Sequence, residues 1–96
     1  MKIPKRLKVA GVTYSIVLIK NQETVSDEFL YGNANHRICE IKINGDCPPD
    51  VQQETFFHEA IHALNQRYGL CLEEAQVKTL GAGVHQILKD NKLLRE

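Results

Sequence analysis

The sequence predicts an α+β fold, a small antiparallel sheet packed against two helices, in one domain over residues 1–96. Three observations predict it. Apolar and polar residues alternate through the first half, the period of a strand with one buried face. The second half changes to the three-and-four spacing of helices. Turn and stop signals at Asn44-Gly45, Pro48-Pro49 and Gly69 divide the chain into short elements.

The sheet region spans residues 6–43. Residues 6–19 read as strand with a tight turn at Ala10-Gly11, and Val12, Tyr14, Ile16 and Leu18 alternate with Thr13 and Ser15. Residues 21–30 are polar and acidic and read as a loop with room for one helical turn. After Tyr31-Gly32-Asn33-Ala34, residues 38–43 alternate again and stop at Asn44-Gly45, a strong turn pair. A helix over 50–68 follows. Pro48 and Pro49 block helix upstream, Asp50 and Gln53 have the form of a capping box, and Gly69 offers the stop. Its buried stripe is read as Phe57, Ile61, Leu64 and Tyr68. A second helix over 72–90 carries Val77, Leu80, Val84, Ile87 and Leu88 as its stripe. Gly81 and Gly83 each cost this helix about 1 kcal/mol relative to alanine, which suggests either close approach to the first helix or local irregularity.

Twelve basic residues balance twelve acidic ones, so no overall field recruits nucleic acid or an anionic membrane. Lys2, Lys5, Arg6 and Lys8 crowd the N-terminus and read as a charged strand edge that resists aggregation. Cys39, Cys47 and Cys71 are odd in number and lack C-x-x-C spacing, which argues against a disulfide framework and a cysteine zinc knuckle. Residues 9–19 are interrupted by Thr13, Tyr14 and Ser15 and precede no small-residue cleavage site, unlike a signal peptide. No apolar run nears the roughly 20 residues that cross a bilayer. A cytoplasmic protein with neither membrane nor nucleic-acid partner is the expectation, and the oligomeric state stays open. At 96 residues the core lies near the lower end of what burial alone stabilises, and a bound metal would add to it.

The most informative run is His58-Glu59-Ala60-Ile61-His62. Residues at i and i+4 of a helix share a face about 6 Å apart, so both imidazoles can reach one Zn²⁺ at 2.0–2.1 Å per bond. Glu59 falls about 100° from His58 and about 60° from His62, beside the ion without being a required ligand. Such a carboxylate can take a proton from zinc-bound water, whose pKa the metal lowers from 15.7 to about 7. An ordinary helix can show the same spacing, but here the histidines flank an apolar stripe, at the border of core and solvent where a metal site belongs.

Catalytic zinc holds three protein ligands and one open position. Glu73 and Glu74 are the candidates at the start of the second helix, and either could simply offset the helix dipole. The wheel places Glu73 nearer the stripe centre, although Glu73 can also stand outside the helix as its cap. His36 falls in a turn beside Arg37, His85 lies about 16 Å along the helix from Glu74, and Cys71 reads as a small hydrophobe. These three are weaker candidates.

The stretch Thr55-Phe56-Phe57-His58-Glu59-Ala60-Ile61-His62-Ala63-Leu64, continued by Tyr68-Gly69-Leu70 and Glu73-Glu74-Ala75-Gln76-Val77, resembles small zincin-type metallopeptidase domains of phages and prophages. These are minimal gluzincins, distantly similar to the ImmA/IrrE group. The resemblance covers the second half of the chain well and the first half only in strand order. It implies Zn²⁺ held by His58, His62 and a glutamate from the later helix that is followed by a small residue, which matches Glu74-Ala75. It implies Glu59 as general base in amide hydrolysis. It further implies that an edge strand, here residues 38–43, lines the cleft and pairs with an extended peptide or protein substrate. Where larger gluzincins carry an aspartate four residues on, Lys78 stands instead. Tyr14, Tyr31, Tyr68 and His85 are all candidates to stabilise an oxyanion. The rival expectation is a non-catalytic or latent metal-binding regulatory module on the same scaffold.

Overall fold

The structure, a computed structural model, describes residues 1–20 and 31–94, so the loop expected at 21–30 lies outside the described residues. Strands β1 (Arg6–Val9) and β2 (Val12–Ile19) form a hairpin in which Val9 faces Val12. Ala10 and Gly11 make its two-residue turn with φ of 51° and 79°. Positive φ at both positions matches the right-handed twist of the strands. Tyr14 and Ile16 are buried, as the alternation requires, while Leu18 near the strand end is exposed.

Strands β3 (Gly32–Asn35) and β4 (Glu40–Asn44) form a second antiparallel hairpin, and the sheet order is β1-β2-β4-β3. The α+β class holds, but the sheet is mixed rather than antiparallel: β2 and β4 run parallel, with Ile16 beside Ile41 and Leu18 beside Ile43. The cause is β3. This strand runs down the outer edge, and the turn through residues 36–39 returns the chain between β3 and β2. Its sequence, Gly-Asn-Ala-Asn, has no apolar alternation, so β2 and β4 look like successive members of an antiparallel meander. Two consequences correct the expectation for the cleft. The strand expected over residues 38–43 begins at Glu40, because Cys39 sits at φ 53°. It is also interior, and β3 is the edge strand on that side.

Helix α1 (Pro49–Tyr68) starts one residue before the expected 50–68. Proline fits the first helical position, where its missing N–H would have no partner. The Asp50–Gln53 capping box does not form. Gln52 anchors the entry instead, its amide donating to the carbonyls of Gly45 and Cys47 at 3.1 and 2.7 Å, while Asp50 pairs with Lys89 Nζ at 3.0 Å. Gly69 ends the helix in the left-handed conformation, as expected. The fully buried face is Thr55, Phe56, Glu59 and Ala63 rather than the Phe57, Ile61, Leu64 and Tyr68 stripe, whose last member is 60% exposed. α1 is packed from two sides: Phe56 and Ala63 join the core against the sheet, while Phe57 stacks on His85 of the second helix.

Helix α2 (Glu74–Asp90) starts two residues after the expected 72. It buries Val77, Gly81 and His85, an i, i+4, i+8 line, and leaves the expected stripe members Leu80 and Ile87 exposed. A Cβ on Gly81 would lie 2.8 Å from the Cα of His58 and 3.0 Å from its N, so the missing side chain sets the helix separation at that point. Gly83 meets nothing within 4 Å. No helix among the described residues is long and apolar enough to cross a membrane.

Candidate metal centre

His58 and His62 leave the same face of α1 with ring centroids 4.9 Å apart. The two oxygens of one carboxylate meet them: Glu74 Oε1 lies 2.9 Å from His58 Nε2, and Oε2 lies 2.9 Å from His62 Nε2. Glu74 is the first residue of α2, and three local features place it there. Asn65 clasps Leu72 in the connecting loop, accepting from its N–H at 3.0 Å and donating to its carbonyl at 3.2 Å. Glu73 is the N-cap, paired with Gln76 in a capping box that includes a 2.9 Å bond from Glu73 N–H to Gln76 Oε1. Gly81 lets α2 approach the His58 backbone two turns further on. Glu73 is therefore occupied with the helix end, and Glu74 is the glutamate directed at the histidines.

The donor set suits a small divalent cation. Two imidazole nitrogens and a carboxylate are donors that zinc and other first-row divalent ions accept. Bonds of 2.0–2.1 Å in a tetrahedron place neighbouring ligand atoms about 3.3 Å apart, close to the 2.9 Å contacts seen here. Ligand atoms of His58, Glu59 and His62 also lie within 4.8 Å of one another, the one such group of three among the described residues. Cys71 is exposed and directed at the Gly69 carbonyl, and His85 is buried between Phe57 and Gln53, bonded to Gln53 Oε1 at 3.1 Å. Neither joins the cluster.

Glu59 is only 5% exposed. Burial, reinforced by the charge of Glu74, raises its carboxyl from an ordinary 4.5 to about 7. It can thus take or release a proton near neutrality. Burial lowers the pKa of His62, with Glu74 opposing and His58 assisting, which favours the neutral ring that has a lone pair to offer a metal.

A cleft of about 810 Å³ opens over the cluster. Its far wall is the edge strand β3, through Gly32, Asn33 and Ala34, and its near wall is α1, with Glu74 and Lys78 at the α2 side. Lys78, at the position four residues after Glu74, lines the cleft. Of the four oxyanion candidates, Tyr31 alone lines this cleft; Tyr14 is wholly buried, Tyr68 is exposed elsewhere, and His85 is in the helix interface. His36, weak as a ligand on sequence grounds, does line the cleft, and its pKa is lowered by burial first, then by His62 and Arg67. No periodicity marks a turn residue, and the sequence signal nearest to it was the inward register of Tyr14, whose hydroxyl lies 2.9 Å from His36 Nδ1. Comparison with protein families, curated proteins and solved structures finds no match to this chain.

Proposed function

We propose that this chain is a zinc-dependent, gluzincin-like metallopeptidase of the phage and prophage type. The observation that carries the reading is the meeting of His58, His62 and Glu74 at 2.9 Å beside the buried carboxyl of Glu59. His58, His62 and Glu74 would hold the ion. Zinc bound there supplies Lewis acidity, acidifying water and polarising a carbonyl.

Glu59 takes a proton from the water that adds to the substrate carbonyl, then passes it to the amide nitrogen as the C–N bond breaks. The outer edge of β3 borders the cleft, so an extended peptide adding along it would bring its main chain past the two histidines. Main-chain pairing of this kind demands little of the substrate side chains.

The test is metal analysis of protein purified without chelator, together with digestion of a proteome-derived peptide library read by mass spectrometry. One zinc per chain and chelator-sensitive cleavage are expected, and His58→Ala should lose both. Zinc without cleavage would instead support the regulatory module, and undiminished zinc in His58→Ala would overturn the site itself.

The two neighbouring glutamates should separate cleanly. Glu74→Ala is expected to weaken zinc binding by more than about 100-fold, since even groups that only support a ligand are worth 10–100-fold. Glu73→Ala should leave zinc affinity unchanged and cost at most about 1 kcal/mol, since the bond from its backbone N–H to Gln76 survives the change. Competition with a chromophoric chelator reads the first effect and denaturant melts the second.

A further inference from the structure

A polar network beneath the cleft does more than metal binding requires. The Tyr14 hydroxyl, on a side chain with no exposed surface, lies 2.9 Å from His36 Nδ1 and 3.2 Å from Arg67 Nε. Arg67, in the last turn of α1, also donates to the His36 carbonyl at 3.0 Å and to Cys39 Sγ at 3.1 Å. Its guanidinium carbon stands 5.5 Å from the Tyr14 ring centroid. Strand and helix thus converge on the turn at His36, Tyr14 on its ring and Arg67 on its carbonyl.

The protons in this network follow from what each group can do. A guanidinium only donates, so the Tyr14 oxygen accepts from Arg67 Nε–H. The hydroxyl proton then needs an acceptor of its own, because a buried O–H without one is unfavourable. Among the described residues the acceptor within reach is His36 Nδ1. Nδ1 therefore carries no proton, and the neutral ring carries its proton on Nε2. A second proton would set an N–H against the Tyr14 O–H, so the same contact opposes the imidazolium.

Nε2 is separated from Nδ1 by Cε1, so its N–H points away from the Tyr14 contact, and His36 lines the cleft shared with His58, Glu59 and His62. With its proton on Nε2, His36 has no lone pair there to give a metal, and it stands outside the His58, Glu59 and His62 group. It has an N–H to give an oxygen. We propose that His36 is a catalytic residue, a fixed neutral donor whose Nε2–H bonds the carbonyl oxygen of the bound peptide, with Tyr14 and Arg67 as its positioning residues. This inference rests on the peptidase reading. As water adds, negative charge grows on that oxygen, and a donor already oriented stabilises it without reorganising.

Two measurements on the full chain test it. In ¹⁵N-labelled protein, two-bond proton–nitrogen correlations at neutral pH should show the Nε2–H tautomer of His36, and Tyr14→Phe should convert it to a mixture. A Nδ1–H ring in the parent protein would overturn the proposal without touching the peptidase reading. In zinc-loaded protein acting on the best-cleaved library peptide, His36→Ala should keep its zinc and lose about 100-fold in kcat with little change in KM. His36→Gln, whose amide can donate from a similar position, should recover part of the loss and guards against misreading a folding defect. Full turnover in a zinc-replete His36→Ala variant would refute the donor and leave the peptidase standing, whereas a parent protein that holds zinc and cleaves nothing would refute the peptidase and the donor together.

Discussion

Glu59→Gln is expected to slow peptide cleavage by at least about 100-fold while making the metal-free protein more stable by about 3 kcal/mol at pH 8. Both effects come from one property of the residue. The folded protein holds the Glu59 proton to about pH 7, while the unfolded chain releases it near 4.5. Between those values the folded state binds more protons than the unfolded state, so stability falls as pH rises. The favourable contribution is complete below pH 4.5 and is gone above about 7. The interval corresponds to about 3 kcal/mol, with little solvent screening because the residue is 5% exposed. Glutamine does not ionise and escapes the loss. Urea melts of both proteins in chelator, from pH 4 to pH 8, should diverge through this window and coincide at its acid end. A difference independent of pH would remove burial of the carboxylate as the cause. Cleavage moves the other way: without a group to move the proton, kcat should fall by about 100- to 10,000-fold with zinc retained.

Gly81→Ala should separate the proposed third ligand from the other two. Its new methyl would press on the Cα and N of His58, backbone atoms that cannot turn aside as a side-chain tip can. The helices must part, and overpacking of this kind costs about 1–3 kcal/mol. Improved helix propensity returns about 1 kcal/mol, leaving a net loss of up to about 2 kcal/mol. The larger effect falls on the site. A displacement of about 1 Å at α2 withdraws the Glu74 carboxylate from both imidazoles, and a misplacement of that size commonly costs about 100-fold in function. Zinc affinity should drop accordingly. Gly83→Ala is the control: with nothing within 4 Å, it should stabilise the same helix by up to about 1 kcal/mol and leave the metal affinity alone. Equal behaviour of the two alanines would dismiss the close contact as the reason.

The parts of the molecule legible in the sequence are those governed by local periodicity. The i, i+4 spacing of His58 and His62 is a property of any helix, the alternation around Tyr14 and Ile16 of any half-buried strand, and Gly69 of any helix end. Glu73 as a cap was likewise open to a local reading. What could not be read depends on partners distant in sequence. The direction of β4 follows from β3, whose Gly-Asn-Ala-Asn carries no apolar signature. The buried face of α1 depends on being packed from two sides, which brings Glu59 inside and leaves Tyr68 out. Asp50 and Gln53 resemble a cap until Pro49 takes the first helical position and Lys89 and His85 claim their side chains. His36 reaches the cleft only because a short edge strand turns back there.

The proposed ligands all belong to residues 58–74, two helices and the loop between them, while the opposing wall of the cleft comes from the sheet. Grip and groove are thus separate pieces of chain. Contacts so close in sequence cost little loop-closure entropy, so the proposed cation-holding end of the helical hairpin does not depend on the order of the strands. A ligand that wedges the far rim outward would widen the opening and leave the ion's seat intact.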